Sequence, residues 1–222
     1  MTVSVITPWQ NHPELIPDYE NAVRGAEVIV IDNASDPDAA AAIRAMTERL
    51  KGKYLRNEKN ASFSAANNQG LAQASREVIL FLNNDIAAGP SFLADVARDT
   101  AENCLVGTLL KTQVVYGVTL PYLEGWCLSG RRAVWQKLGG WDAEAYPLPY
   151  WEDNDLCLRA LDAGMRLVPA TWPVTHKKGQ TTRELVLWGE VYERNRAVFA
   201  ARVRPYYERF RANIEQRDTS QP

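Results

Sequence analysis

The chain has 222 residues, of which 46% are apolar and 23% charged, the balance of a globular domain with a sizeable core. That excludes a disordered tail, a collagen-like rod and a disulfide-stapled mini-protein. With 25 Lys and Arg against 27 Asp and Glu the net charge is -2, which argues against a general nucleic-acid coat protein.

Short apolar, β-branched runs alternate with stretches of helical period through the first half, the mark of βαβ units and a mostly parallel sheet. The strands are predicted at residues 3–7, 27–32, 53–57 and 77–85, and the helices at 13–24, 37–50, 64–75 and 90–103. The second helix opens with Asp36 as N-cap and Pro37 at its first position, and carries an alanine run. After residue 104 the alternation ends. Residues 105–120 read as extended, interrupted by Gly107 and Gly117, and a short helix over 131–138 stops at Gly139-Gly140. Another helix follows Glu152-Asp153 and ends at Gly164, and a strand covers 166–169. The tail from residue 183 to about 214 is predicted helical, with Leu185, Trp188, Val191/Tyr192 and Val198/Phe199 on one face and Pro205 kinking or dividing it. No linker is visible, so one α/β domain is expected over 1–222, in three stretches, 1–104, 105–182 and 183–222.

Cys104, Cys127 and Cys157 lack metal-ligand spacing and cannot all pair, so they read as reduced thiols. The start, MTVSVITPWQNH, lacks the basic region and apolar stretch of a signal peptide. The longest apolar runs, 28–31 and 78–82, fall far short of the roughly 18 residues that cross a bilayer. A soluble, cytoplasmic location is the expectation.

In open α/β sheets ligands bind at the carboxyl ends of the strands. Here those ends are polar four times over: Thr7-Pro8, Asp32-Asn33, Asn57 and Asn83-Asn84-Asp85. Asp32 suits a turn, since Asp-Asn-Ala-Ser is good turn chemistry, and equally suits an acceptor for a ring N–H or ribose hydroxyl. Asn83-Asn84-Asp85 could be a polar turn before Gly89-Pro90, but a carboxylate at the lip of so apolar a strand suits a divalent cation. Neither the dinucleotide fingerprint nor the P-loop follows any strand, so a diphosphate here would need a metal to neutralise it.

VSVITP, EVIVIDNAS, NASFSAANNQG, ILFLNND, GGWD and YWEDNDLCLRALDAG stand in the order and approximate spacing of the family 2 inverting glycosyltransferases. Over roughly residues 3–200 the chain resembles that family, and most of all its bacterial and phage rhamnosyltransferase-like branch. The resemblance implies a GT-A fold with a mostly parallel central sheet flanked by helices. It makes 1–104 the nucleotide-binding half, 105–182 the acceptor and catalytic half, and 183–222 a helical tail. The donor it implies is a nucleoside-diphosphate sugar of UDP or dTDP type.

By that resemblance Thr7 and Pro8 line the base pocket, Asp32 and Asn33 hold base or ribose, and Asn60, Phe63, Asn67 and Asn68 close over the nucleotide. Asn83, Asn84 and Asp85 take the place of the acidic motif for metal and diphosphate. Asn83 stands where the family has its first acid, which weakens the charge offered to a metal. Glu152-Asp153 matches the family's Glu-Asp motif, Asp153 being the general base that takes the acceptor hydroxyl's proton. Asp153 could also cap the following helix. Asp155, with Arg159 and Asp162, reads as a solvated helix face. The family places a metal-binding His where His176 stands, and Asp85 with His176, diphosphate oxygens and waters would complete an Mn²⁺ or Mg²⁺ site.

Trp126 and Trp141 divide evenly between core packing and the site, whereas Trp151 with Glu152 is expected on the acceptor side, its ring a platform for a sugar. From residue 177 to 211 nine basic residues face four acidic ones, with aromatics interleaved. That suits a docking helix with a basic face, or an anionic acceptor: a lipid-linked glycan at a membrane surface, or a modified DNA base. Metal-dependent, inverting sugar transfer to a hydroxyl acceptor is the leading expectation. The alternatives are a nucleotide-sugar-binding module weakened in catalysis by Asn83, and a nucleotidyltransferase, which the missing glycine-rich loop disfavours.

Overall fold

The computed structural model describes residues 3–177 and 188–218. In chain order the first half runs β1 (Val3–Trp9), α1 (Ile16–Val23), β2 (Glu27–Asn33), α2 (Pro37–Arg49), β3 (Lys53–Asn57), α3 (Phe63–Gln73), β4 (Val78–Leu82), β5 (Ile86–Ala88) and α4 (Phe92–Asp99). The second half adds β6 (Cys104–Gly107), β7 (Leu110–Val115), β8 (Val118–Leu123), β9 (Cys127–Arg131), α5 (Arg132–Leu138), α6 (Glu152–Asp162), β10 (Arg166–Pro169), β11 (Val174–His176) and α7 (Trp188–Asp218). A seven-stranded sheet of order β10-β6-β9-β4-β1-β2-β3 forms the centre, parallel except for β9.

Strand alternation divides the core between the two faces of this sheet. Val3, Val5, Val28, Val30, Leu80 and Leu82 pack with α1, α2 and α4 residues on one side, while Ile6, Ile29, Ile31, Ile79 and Phe81 pack with α3, α5 and α6 residues on the other. The chain leaves β1 toward β2 and β3, then returns to the opposite edge of β1 with β4. That reversal opens a crevice at the carboxyl ends of β1 and β4, where Thr7-Pro8 and Asn83 stand. A third cluster, Val115, Tyr146, Trp151, Leu158, Phe199 and Val203, docks α7 against α6 and the β7–β8 hairpin.

Several sequence expectations are corrected. The strand expected over 77–85 ends at Leu82, and Asn83-Asn84-Asp85 bridges it to the short β5. Asp36 precedes α2, but its side chain makes no capping bond; the helix start rests on the fixed φ of Pro37. The extended stretch 105–120 is the end of one strand and most of a hairpin, whose Tyr116-Gly117 turn has φ of 51° and 76°, the sign a two-residue hairpin turn requires. β9 carries no β-branched residue (Cys-Leu-Ser-Gly-Arg), which hid it from propensity, yet it fills the gap between β4 and β6. Pro205 does not divide the tail helix, since α7 runs through it. The bond that Pro205 cannot donate would go to residue 201, and both residues are exposed, so water can satisfy the freed carbonyl. The tail's expected start at 183 and Leu185 lie outside the described residues. All three cysteines are free and buried, and no helix among the described residues is long and apolar enough to cross a membrane.

Candidate active site

A cavity of about 740 Å³ opens at the crevice between β1 and β4. Its lining includes Pro8, Gln10, Asn33, Asn60 and Phe63, then Asn83, Asn84 and His176, and also Trp126, Glu152 and Asp153. Residues from both halves of the sequence therefore meet in one volume, of the size that takes a small-molecule ligand.

His176 reaches the site through β-pairing. β11 runs antiparallel to β5, His176 opposite Ile86, and Lys177 N donates to Asp85 O at 2.8 Å. This brings His176 Nε2 to 2.9 Å from Asp85 Oδ1. The carboxylate is 3% exposed and its Oδ1 has no hydrogen-bond partner, so the contact is close but off the hydrogen-bond axis. Asn83 Nδ2 lies 3.4 Å from the same imidazole nitrogen. Trp126 stacks on the His176 ring at 4.7 Å and 6° and is tied by its indole N–H to Glu124 Oε2 at 3.0 Å. Trp126 thus lines the cavity. Trp141, 2% exposed and edge-on to Phe63 and Phe81, belongs to the core.

An orphaned buried oxygen beside an imidazole nitrogen is a donor set that fits a divalent cation. Among the described residues no group of three or more His, Cys, Asp or Glu side chains could hold a metal. The remaining ligands would have to be waters and oxygens of a bound molecule, the usual arrangement for Mg²⁺.

Tyr150 and Trp151, which also line the cavity, have φ of 84° and 73°, and this left-handed pair turns the chain into α6. Such backbone is costly for bulky residues and persists only where its surroundings impose it. Asn195 of α7 imposes it, its amide nitrogen lying 2.9–3.1 Å from the carbonyls of Leu148, Pro149 and Tyr150. Trp151, expected as an open platform, is 3% exposed, its ring enclosed by Tyr192 and Phe199, so it offers little face to a sugar. Trp151 also occupies the N-cap, so Asp153 is not the cap. The carboxylate of Asp153 instead accepts from Gly125 N at 3.2 Å and Asn154 N at 2.8 Å. A Cβ at Gly125 would stand 3.1 Å from Trp141 and 3.4 Å from Asp153 Cβ, so only glycine lets that amide come so close.

Burial pushes the Glu152 carboxyl up to about 8, with the charge of Asp153 adding to the effect. Burial likewise raises Asp153, to about 6, opposed by the amides of Gly125 and Asn154 and reinforced by the charge of Glu124. Burial thus disfavours the charged form of both neighbouring acids, and the pair titrates together. Glu152 Oε2 is buried without a partner.

Asp155 is corrected outright. It is 0% exposed, held by Arg159 Nε at 2.8 Å and by Arg202 of α7 at 2.6 Å, and Arg202 also reaches Asp142 at 2.6 Å. α7 covers the face of α6 that helical spacing presented as solvated. Of the basic tail, residues 178–187 lie outside the described residues, while Arg196 and Arg204 pair with Glu193 and Glu208. Docking through Val191, Phe199 and Val203 is the role its described part displays.

Of the other expected residues, Pro8, Asn33, Asn60, Phe63, Asn83 and Asn84 line the cavity. Thr7, Asp32, Asn67 and Asn68 do not. Thr7 is buried and accepts from Tyr19 Oη at 2.7 Å. Asp32 is fully buried and accepts from Ser35 N, Tyr54 Oη and Arg56. Burial opposes its charge, yet the bonds from Tyr54 and Ser35 and the Arg56 charge hold its pKa below the usual carboxylate range. Its carboxylate has no open side for a ligand. Asn67 is buried with both amide atoms unpartnered, and Asn68 grips the backbone N–H and carbonyl of Trp141 at 2.9 and 2.7 Å, a structural clamp. Gln10, Gln113, Tyr122 and Glu124 line the cavity without any sequence signal having marked them.

The family model described as Glycosyl transferase family 2 matches residues 4–144. The O-antigen biosynthesis protein RfbC of Myxococcus xanthus is 27% identical over 75% of this chain, which spans 16% of that protein's length. Among solved structures, the mannosyltransferase PcManGT of Pyrobaculum calidifontis in complex with GDP-Man and Mn²⁺ superposes with a TM-score of 0.62 at 18% identity, over 76% of this chain and 54% of that one. Residues 1–349 of S. aureus TarS in complex with UDP-GlcNAc give 0.65 at 19% identity, over 89% and 65%.

Proposed function

The chain belongs to glycosyl transferase family 2, and from that premise we propose that it transfers a sugar, with inversion, from a nucleoside-diphosphate sugar to a hydroxyl acceptor. The observation that carries the reading is one cavity receiving both the Glu152-Asp153 pair and the Asn83–His176 rim over Asp85. The GDP-Man and UDP-GlcNAc held by its structural neighbours support a donor of that class.

In this reading the acceptor oxygen forms a bond to the anomeric carbon while the bond from that carbon to the diphosphate oxygen breaks on the opposite side. Asp153, ionised and oriented by Gly125 N and Asn154 N, takes the hydroxyl proton. Glu152 keeps its own proton and offers a donor to the acceptor or sugar. Asp85 and His176 would hold Mn²⁺ or Mg²⁺, which supplies neutralisation of the departing diphosphate. One carboxylate suffices because the diphosphate leaves readily, whereas glycoside hydrolysis needs two. Residues 1–222 act as one domain in this account, with α7 bracing α6. The acceptor is a glycan, a lipid-linked glycan or a modified nucleobase, in the cytoplasm or at its membrane face.

Asn83, a carboxamide where an acid was expected, favours a second reading: a nucleotide-sugar-binding module weakened in catalysis. Incubation with UDP-, dTDP- and GDP-sugars, Mn²⁺ and a panel of hydroxyl acceptors, following diphosphate release, separates the two. Acceptor-dependent release supports transfer; tight donor binding without release at any acceptor favours the module.

A further inference from the structure

Five side-chain amides form one hydrogen-bonded series, of which Gln10, Asn33 and Asn60 line the cavity and Asn57 and Gln69 do not. Gln69 and Asn57 bond reciprocally at 2.9 and 3.0 Å. Asn57 Nδ2 also donates to Asn33 Oδ1 at 3.1 Å, Asn33 Nδ2 to Asn60 Oδ1 at 2.7 Å, and Asn60 Nδ2 to Gln10 Oε1 at 2.9 Å.

An amide's two ends are interchangeable in shape, so the direction of such a series needs an outside reference. Two backbone donors provide it. Ala61 N donates to Asn33 at 2.8 Å, and Ser62 N donates to Asn60 at 2.9 Å. A backbone N–H can only donate, so the atoms facing it must be Asn33 Oδ1 and Asn60 Oδ1. The nitrogen of Asn60 then faces Gln10, which must answer with its oxygen. What Gln10 has left is its NH₂ group, which meets no protein acceptor among the described residues and belongs to a side chain lining the cavity.

The acceptors at this end are largely consumed. Asn33 Oδ1 and Asn60 Oδ1 each take two bonds, and the buried Asp32 carboxylate is occupied by Ser35, Tyr54 and Arg56. Of the amides in this series that line the cavity, the group left wholly without a partner among the described residues is the NH₂ of Gln10, and Asn60 keeps a second N–H. We infer that Gln10 is a base-selecting residue, favouring a nucleobase whose facing edge carries a carbonyl oxygen over one that carries an amino group there. An amino group would set donor against donor and leave both unpaired. This rests on the reading of the cavity as a nucleotide-sugar site, with the base at the end formed by β1 and β2.

Two ligand pairs isolate the feature. UDP and CDP differ in a carbonyl beside a ring N–H against an amino group beside a bare ring nitrogen on the pyrimidine. Inosine diphosphate and ADP differ likewise on the purine, and the Gln10 variants assign the difference to the group that Gln10 meets. Each is titrated calorimetrically into the full chain with Mn²⁺, alongside Gln10→Glu and Gln10→Leu. The expected result is that the carbonyl member of the better-bound pair binds about tenfold tighter or more, a gap set by pairing one donor or stranding it. Gln10→Glu, which still accepts from Asn60 but offers an acceptor to the ligand, should invert that ratio, and Gln10→Leu should bring it near one. Equal binding within both pairs, a preference for the amino member, or a ratio untouched by both variants overturns the inference while leaving the donor site standing. Failure of all four diphosphates to bind overturns the nucleotide-sugar reading and this inference with it.

Discussion

Asp85 Oδ1 and His176 Nε2 stand 2.9 Å apart with no hydrogen bond joining them. In the tautomer that leaves Nε2 unprotonated, and with the Asn83 amide at 3.4 Å turned to another acceptor, nitrogen and oxygen each have a lone pair to offer a cation. A divalent cation there would bridge the protein to a diphosphate but not to a nucleoside. Chelator should therefore weaken UDP far more than uridine. Asp85→Asn and His176→Ala should each lower Mn²⁺-dependent UDP affinity by about tenfold or more, since even the partners of metal ligands are worth that much. Calorimetry with Mn²⁺ and with EDTA measures it, and equal UDP affinity in both would remove the two residues from any metal site.

The brace between α7 and α6 should be measurable as stability. Arg202 joins the buried Asp155 to Asp142, and Arg202→Met would leave Asp155 with Arg159 alone. Hydrogen bonds to charged groups contribute roughly 1.5–3 kcal/mol each, so the urea midpoint should fall by a corresponding amount. Asp155→Asn should also destabilise, which disqualifies it as a harmless neighbour of Asp153. An unchanged midpoint in Arg202→Met would mean that α7 merely rests on α6.

The two raised carboxyls give opposite pH signatures. Transfer needs Asp153 ionised, so kcat/KM should climb through a pH near 6, whereas an ordinary aspartate would already be ionised. Because the two acids interact, the apparent value belongs to the pair. Glu152→Gln mimics the neutral form and should leave that limb in place. Stability runs the other way: a carboxyl that binds its proton more tightly folded than unfolded stabilises at low pH, and loses that contribution as pH rises from the unfolded value toward about 8. Wild type should lose stability over that window, and Glu152→Gln should lose less. Parallel stability profiles for the two proteins would place the Glu152 carboxyl in an ordinary aqueous setting.

The sheet and the mouth of the site were legible because β1, β2 and β4 are apolar on both faces and end in polar residues, a pattern local in sequence. Motif order singled out Asp153, Asp85 and His176, and the fold brings Asp153 and His176 to the cavity and Asp85 to 2.9 Å from His176. What escaped depended on distant partners. Asp155 looks solvated until Arg202, far along the chain, covers it. Asp32 looks available until β3 aligns Tyr54 and Arg56 on the same face beside it. β9 lacks the residues that announce a strand and is held by the two strands it joins.

The most direct test of Asp153 as the base is Asp153→Asn in single-turnover transfer, with donor affinity measured on the same preparation. Asparagine keeps the size and can still accept from Gly125 N, but it cannot take the acceptor's proton. Asp162→Asn, exposed on the same helix, is the matched control. A general base is worth typically 10²–10⁴-fold, so transfer should fall by about that factor with donor affinity nearly unchanged and the control fully active. Undiminished transfer by Asp153→Asn would contradict the assignment of the base and the mechanism built on it.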